Sequence, residues 1–285
     1  MSRTLRVLFL LTPLVALNAW AAGFDGDRLA GILDAQPDDV KSRYIWRHPQ
    51  ETLEFFGLAP GSTVVEALPG GGWYTKILLP YLGADGLYIG ADYAPQMYAL
   101  FGFFNEQQLE EKKTWVTDFT AQAGGWAGDI GPTVAAFVLG SLPDDMKGTA
   151  DTVLFIRALH NLARFESQGG YLTAAVRSAY EALKPGGVVG VVQHEARPDM
   201  PDDWASGRNG YLKKDFVIRV FTDAGFEFVG DSDVNENASD QPSTDDLVWR
   251  LPPTLTTSRN DPELRTKMEA IGESNRMTLK FRKPL

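Results

Sequence analysis

Three consecutive glycines, Gly70-Gly71-Gly72, follow a short apolar run that ends at Leu68 and Pro69. Glycines at the end of a strand let backbone N–H groups approach a ligand closely, and a helix starting there adds positive charge from its N-terminus. Asp92 stands twenty residues beyond Gly72 and closes the next apolar run. A carboxylate at that place can accept both hydroxyl groups of a ribose. Together the two features point to a ligand that carries a nucleoside. His48, His160 and His194 are the three histidines of the chain, and an imidazole, which titrates near neutrality, suits proton transfer. His160 follows one apolar run and His194 ends another, beside Glu195. Both are candidates for moving a proton; orienting a loop through a hydrogen bond is the competing role. Arg157 precedes His160 by three residues. It is a candidate clamp for a substrate carboxylate or a partner for Asp92 or Glu66, and the sequence leaves that choice open.

Several chemistries are excluded. No Gly-Lys-Ser or Gly-Lys-Thr follows the glycines, which rules out a phosphate-binding P-loop. A dinucleotide site wants a further glycine three residues after Gly72, where Thr75 stands. A nicotinamide cofactor is therefore disfavoured, although Asp92 would suit it. S-adenosylmethionine has no pyrophosphate to cradle, and its site tolerates the change. No grouping of His, Asp and Glu has the spacing of a metal site, and none is expected. Cysteine is absent, so thiolate nucleophiles, disulfides and cysteine–zinc sites are absent too.

These residues need elements to hold them. Residues 63–68 and 87–91 read as buried strands, joined by the glycines and a helical stretch at 73–82: a βαβ unit with an acid at its second strand's end. Further strands are expected at 134–139, 152–156, 188–193, 226–230 and 277–281, and helices at 171–183 and 213–224. Lys184-Pro185-Gly186-Gly187 reads as a turn into the fifth strand. Residues 25–58 read as a helical extension whose second half has an apolar face of Leu53, Phe55, Phe56 and Leu58. The stretch 93–132 is longer than a usual crossover, and residues 231–275 form a polar insertion whose acidic part, 231–246, reads as a solvated loop. Tyr98, Phe101, Phe103 and Phe104 cluster within the first of these, more simply as a helix face on the core than as a lid. The expectation is one α/β domain from residue 63 with two insertions, preceded by a helical segment at 22–62.

The chain has 285 residues, with 27 Lys and Arg against 37 Asp and Glu, a net charge of -10. That balance argues against nucleic acid or an anionic membrane surface as partner. Arg3 and Arg6, the apolar run 7–17 and Ala19-Trp20-Ala21 have the form of a Sec-type signal peptide cut after Ala21. The run is too short to span a bilayer, so an exported chain with no stable membrane anchor is expected, in the periplasm or secreted. Without the two arginines the net charge moves from -10 to -12.

Over nearly all of the chain after the leader, the sequence resembles class I S-adenosylmethionine-dependent methyltransferases. Glu66-Ala67-Leu68-Pro69-Gly70-Gly71-Gly72 is similar to that fold's first motif, Asp92 to the acid after the second strand, and Leu183-Lys184-Pro185-Gly186-Gly187 to the turn before the fifth. More narrowly, Arg47-His48-Pro49, Phe55-Phe56-Gly57-Leu58, Trp73-Tyr74-Thr75, Arg157-Ala158-Leu159-His160-Asn161 and Met277-Thr278-Leu279-Lys280-Phe281 resemble a family of bacterial, often exported methyltransferases. The resemblance implies a Rossmann-like, doubly wound, seven-stranded sheet, mostly parallel with the last strand antiparallel and helices on both faces. It implies S-adenosylmethionine bound by Glu66, Pro69, Gly70, Gly71, Gly72, Asp92 and Tyr93. Two departures stand out: Leu68 replaces the usual first glycine of the loop, and Leu139-Gly140-Ser141-Leu142-Pro143 lacks the acid that often meets adenine. Ser141 is left to hydrogen-bond and Leu142 to pack there. His160, His194 and Arg157 are the residues expected to act on the acceptor, a small molecule or an exported protein. The alternatives are a non-catalytic exported protein that binds a nucleoside cofactor and a nicotinamide-dependent oxidoreductase.

Overall fold

The computed structural model describes residues 23–285; the leader expected at 1–21 lies outside them. Seven strands form one sheet: β1 (Thr63–Ala67), β2 (Leu87–Asp92), β3 (Thr133–Val138), β4 (Ala150–Ile156), β5 (Leu183–His194), β6 (Glu227–Ser232) and β7 (Arg276–Arg282). Their order across the sheet is β3-β2-β1-β4-β5-β7-β6. The first five pair in parallel, whereas β7 runs antiparallel to both β5 and β6. The order in which strands are added reverses beside β1, so the connections leaving the carboxyl ends of β1 and β4 part there and leave a crevice.

Successive side chains of a strand face opposite ways, and this sheet buries both faces. Val64, Tyr88, Leu154 and Val192 pack with the N-terminal helices and with helices Thr75–Leu82 and Trp115–Ala127. Val65, Ile89, Val153 and Val191 pack on the other face, with helices Tyr171–Ala182 and Lys214–Asp223. The N-terminal segment is bound into the first of these cores: Leu29, Leu53, Phe56 and Leu58 are fully buried. Gly190 makes the approach possible, because a Cβ there would stand 2.6 Å from the Phe56 ring.

Four short helices, Gly26–Asp34, Asp38–Lys41, Tyr44–Arg47 and Pro49–Phe56, fill the helical extension. The segment between β2 and β3 includes helix Trp115–Ala127, which packs on the β2–β3 side of the sheet. One reading needs correction. The Lys184–Gly187 stretch is not a turn ahead of β5 but an irregular part of it, where pairing with β4 jumps from Ala150↔Leu183 to Thr152↔Val188. Gly186 N–H donates to Lys283 O and Lys283 N–H to Gly187 O, and these bonds tie the stretch to the chain end. The acidic run 231–246 is largely an exposed loop, as read, with Asp231, Asp233, Glu236 and Asp245 at the surface, but it is pinned by two buried polar residues. Asp240 is buried and accepts from Tyr211, Arg250 and the Asn275 N–H, while buried Asn235 donates to Thr52 and Thr278. Asp240 is accommodated below the surface because the arginine that neutralises it, Arg250, arrives from the same insertion. Among the described residues no helix is long and apolar enough to cross a membrane.

Candidate functional site

A cleft of about 650 Å³ opens at the carboxyl ends of β1, β2, β4 and β5. Its floor begins where β1 ends. Leu68 leaves the strand with φ 56°, its N–H donating to Ala91 O at 2.7 Å. This left-handed conformation suits a glycine and is costly for a leucine. Gly70 also has φ 55°. A Cβ on Gly71 would meet nothing within 4 Å and one on Gly70 only the Leu68 carbonyl at 3.9 Å, so both face open space. Gly72 has another reason to be glycine: its Cβ would stand 2.5 Å from the Trp126 ring. Glu66 lies beneath the loop, accepting at 2.7 Å from both the Thr75 and Tyr88 hydroxyls. Burial pushes its carboxyl up to about 7, against those two bonds. Neither Glu66 nor Gly72 lines the cleft. Thr75 is thus where it is to hold Glu66.

Asp92 and Tyr93 do line it. Asp92 Oδ1 accepts from the Tyr93 N–H at 2.8 Å and Oδ2 from the Tyr98 hydroxyl at 2.5 Å. Burial raises the Asp92 pKa, opposed by those two hydrogen bonds. A carboxylate offers about four lone-pair positions, so room remains for two more hydroxyl donors. Tyr93 accepts from Asn161, whose own Oδ1 is buried without a partner. The structure does not bring Ser141 and Leu142 to this place. After β3 the chain turns back through Gly140, with φ 88°, and Ser141 N–H donates to Val138 O. Both residues border a separate groove with Lys147 and Glu166.

On the far wall Arg157, His160 and His194 come together as expected from their strand ends. Arg157 has φ 57° and donates its N–H to Val192 O, so the residue is held at the lip of β4. The two imidazole rings are 5.4 Å apart. Gln193 Nε2 donates to Gly210 O and His194 O, which turns Oε1 toward His160 Nδ1 at 3.4 Å. Since Oε1 can only accept, Nδ1 carries the proton and Nε2 keeps its lone pair. Burial, with the Arg157 and Arg164 charges, pulls His160 down to about 4. His194, whose Nδ1 lies 2.5 Å from Ser274 Oγ, is pulled well below its ordinary value by burial, His160 and neighbouring arginines. Both rings are neutral at pH 7. His48 is a helix cap with φ 36°, outside the cleft wall.

The residues the sequence did not single out as ligands form one cluster. Arg43 and Arg47, one helical turn apart, and Arg276 all pair with Glu273, and Arg157 approaches it at 4.0 Å. Burial works to raise Glu273, yet the arginines outweigh it and hold the carboxyl at about 2. Arg157 takes neither of its expected partners, Asp92 or Glu66; its carboxylate is Glu273. The only local signals were the spacing of Arg43 and Arg47 and of Glu273 and Arg276, each common on ordinary surface helices. Trp249, Pro252 and Pro253 complete the rim from the insertion. Among the described residues no group of three or more His, Asp or Glu is placed to hold a metal ion.

No family model matches the chain, and no curated protein matches it. Among solved structures it is similar to the 4+2 cyclase SpnF, at 17% identity over 84% of this chain and 80% of that one, with a TM-score of 0.51. It is also similar to an S-adenosylmethionine-dependent methyltransferase from Aquifex aeolicus, at 17% identity over 74% and 94%, TM-score 0.48. A third is CrArsM, an arsenic(III) S-adenosylmethionine methyltransferase from Chlamydomonas reinhardtii, at 15% identity over 90% and 73%, TM-score 0.46. The fold is Rossmann-like, a seven-stranded sheet that is mostly parallel with β7 antiparallel. Antiparallel β7 between β5 and β6 separates it from the wholly parallel order of dinucleotide-binding sheets.

Proposed function

We propose that this protein transfers a methyl group from S-adenosylmethionine to a small molecule or an exported protein. The observation that carries the reading is the single cleft in which the open Gly70-Gly71 loop, Asp92 and the pair His160–His194 meet. Gly70 and Gly71 offer backbone N–H groups without side chains to obstruct them, and Asp92 retains acceptor capacity for ribose hydroxyls. The bound cofactor would supply an activated methyl group on a sulfonium. The chain's part is alignment and, for a protonated acceptor, removal of a proton. His160, neutral with a free Nε2 lone pair, is the group for that step, and His194 sits within reach as a second. The leader-like character of residues 1–21 supports, in this reading, an acceptor met outside the cytoplasm.

The test is calorimetric titration of the protein, expressed from its full sequence, with S-adenosylmethionine and separately with NADH. Saturable binding of the first alone is expected; Asp92→Ala should abolish it with the melting transition in place, and Gly70→Val should abolish it while strain at φ 55° lowers that transition. Unchanged affinity in both variants refutes the site, and binding of NADH alone refutes the cofactor.

A further inference from the structure

We propose that the arginine end of the cleft is a seat for an anionic group, a carboxylate or a phosphate, carried by the methyl acceptor; this rests on the cofactor reading above. Five cationic side chains line the cleft, Arg43, Arg47, Lys112, Arg157 and Arg276, against two anionic ones, Asp92 and Glu273. The whole chain carries -10, so this surplus is local and opposite in sign to the molecule. Like charges gathered in a partly desolvated cleft repel one another, and among the described residues a single carboxylate, Glu273, serves the four guanidinium groups.

Hydrogen-bond use singles out two of the four. Arg276 is the most engaged, with a bond from each nitrogen: Nε donates to Ser274, Nη1 to Trp46 O and Nη2 to Glu273. Arg43 spends Nε and Nη2 on Glu273. Arg47 gives only its Nε, leaving its terminal N–H groups unused while the guanidinium lies 4.4 Å over the Trp73 ring. The Arg157 guanidinium donates no side-chain hydrogen bond among the described residues, and its carboxylate contact is the 4.0 Å approach to Glu273. Burial and neighbouring cations lower Arg47 to about 9 and Arg157 to about 10, the mark of guanidiniums short of a counter-charge. Beside them Trp73 Nε1–H is buried with no acceptor. Planar forks with unspent donors match carboxylate and phosphate oxygens.

The methionine carboxylate of the cofactor has the same chemistry. S-adenosylmethionine as a whole, however, brings about one net positive charge, from its sulfonium and ammonium against one carboxylate. Its arrival deepens the cationic surplus, and the acceptor is the component left to relieve it. An anion at Arg157 would also lower the field that keeps His160 and His194 from taking a proton.

The protein, expressed from its full sequence and saturated with S-adenosylhomocysteine, is titrated with inorganic phosphate and with malonate at constant ionic strength. Wild type is expected to bind at least one, and Arg157→Gln to weaken that binding roughly tenfold to hundredfold, the worth of lost charge-assisted hydrogen bonds. Arg157→Lys should recover part of the affinity, and Arg177→Gln, on the surface elsewhere, should change nothing. Arg157→Gln removes a cation from a repelling group and is expected to fold, checked by circular dichroism; if it does not, Arg157→Lys carries the comparison. Loss of S-adenosylhomocysteine affinity in Arg157→Gln gives the seat to the cofactor's carboxylate and overturns the proposal, as does a wild type that binds neither anion. Anion binding lost in Arg157→Gln, in a protein that binds no cofactor, upholds the seat and overturns the cofactor reading instead.

Discussion

His160 and Glu66 are titratable groups moved in opposite senses by the same burial. Since His160 stays neutral down to about 4, turnover that depends on it should hold level as pH falls through the ordinary imidazole range of about 6.5 and decline only toward 4. His160→Ala should lose turnover with cofactor binding kept; full activity in that variant would reduce His160 to a loop-orienting residue. Glu66 has its folded value raised from 4.5 to about 7. Its contribution to stability is therefore fully present below 4.5 and is lost as pH rises through 7. The cost at high pH is on the order of 3 kcal/mol. Glu66→Gln, which can still accept from Thr75 and Tyr88, should melt above wild type at pH 8 and lose that advantage in acid. A wild type that melts higher at pH 8 would contradict this.

Elements enter where a short segment joins distant ones. Glu273 precedes β7 and links it to helix Tyr44–Arg47 through Arg43 and Arg47. Removing its charge strands four guanidinium groups around a neutral amide, the case in which breaking a buried ion pair costs about 3–5 kcal/mol. Glu273→Gln should accordingly lower the unfolding free energy by that much, read from urea unfolding at pH 7. Strands β1 and β2 and the glycine turn were legible because each signal is local: apolar runs, turn residues and an acid at a fixed offset. The arginine cluster was not, since its members at 43, 47, 157, 273 and 276 share no window of sequence. Ser141 and Leu142 failed for a similar reason. Their offset from β3 was legible, but the direction the chain takes after Gly140 is set by packing and by the Ser141–Val138 bond.

At the scale of the molecule, the N-terminal helices and the sheet are one folding unit. Leu29, Leu53, Phe56 and Leu58 are fully buried among Val64, Tyr88 and Leu154, and each such side chain contributes about 1.5–3 kcal/mol by burial. That total is comparable with the whole stability of a typical domain. A chain beginning at Ala59 should therefore not unfold cooperatively and should bind a hydrophobic dye; a sharp melting transition would show the sheet to be self-sufficient. The same segment brings Arg43 and Arg47 to the cleft, so stability and site share the same helices.

The sequence by itself determined the class of fold, the place of the glycine loop and of Asp92, and the strand ends that carry Arg157, His160 and His194. Those follow from periodicity and from the rule that parallel sheets gather ligands at their carboxyl edge, both properties of short stretches of chain. Only the tertiary structure decided that Glu66 lies under the loop and not in the cleft, that Tyr98 shares Asp92, and that the insertion's Asp240 is buried. It alone placed four arginines around one glutamate. Electrostatic environment is a sum over neighbours in space, and here those neighbours are up to 230 residues apart in the chain.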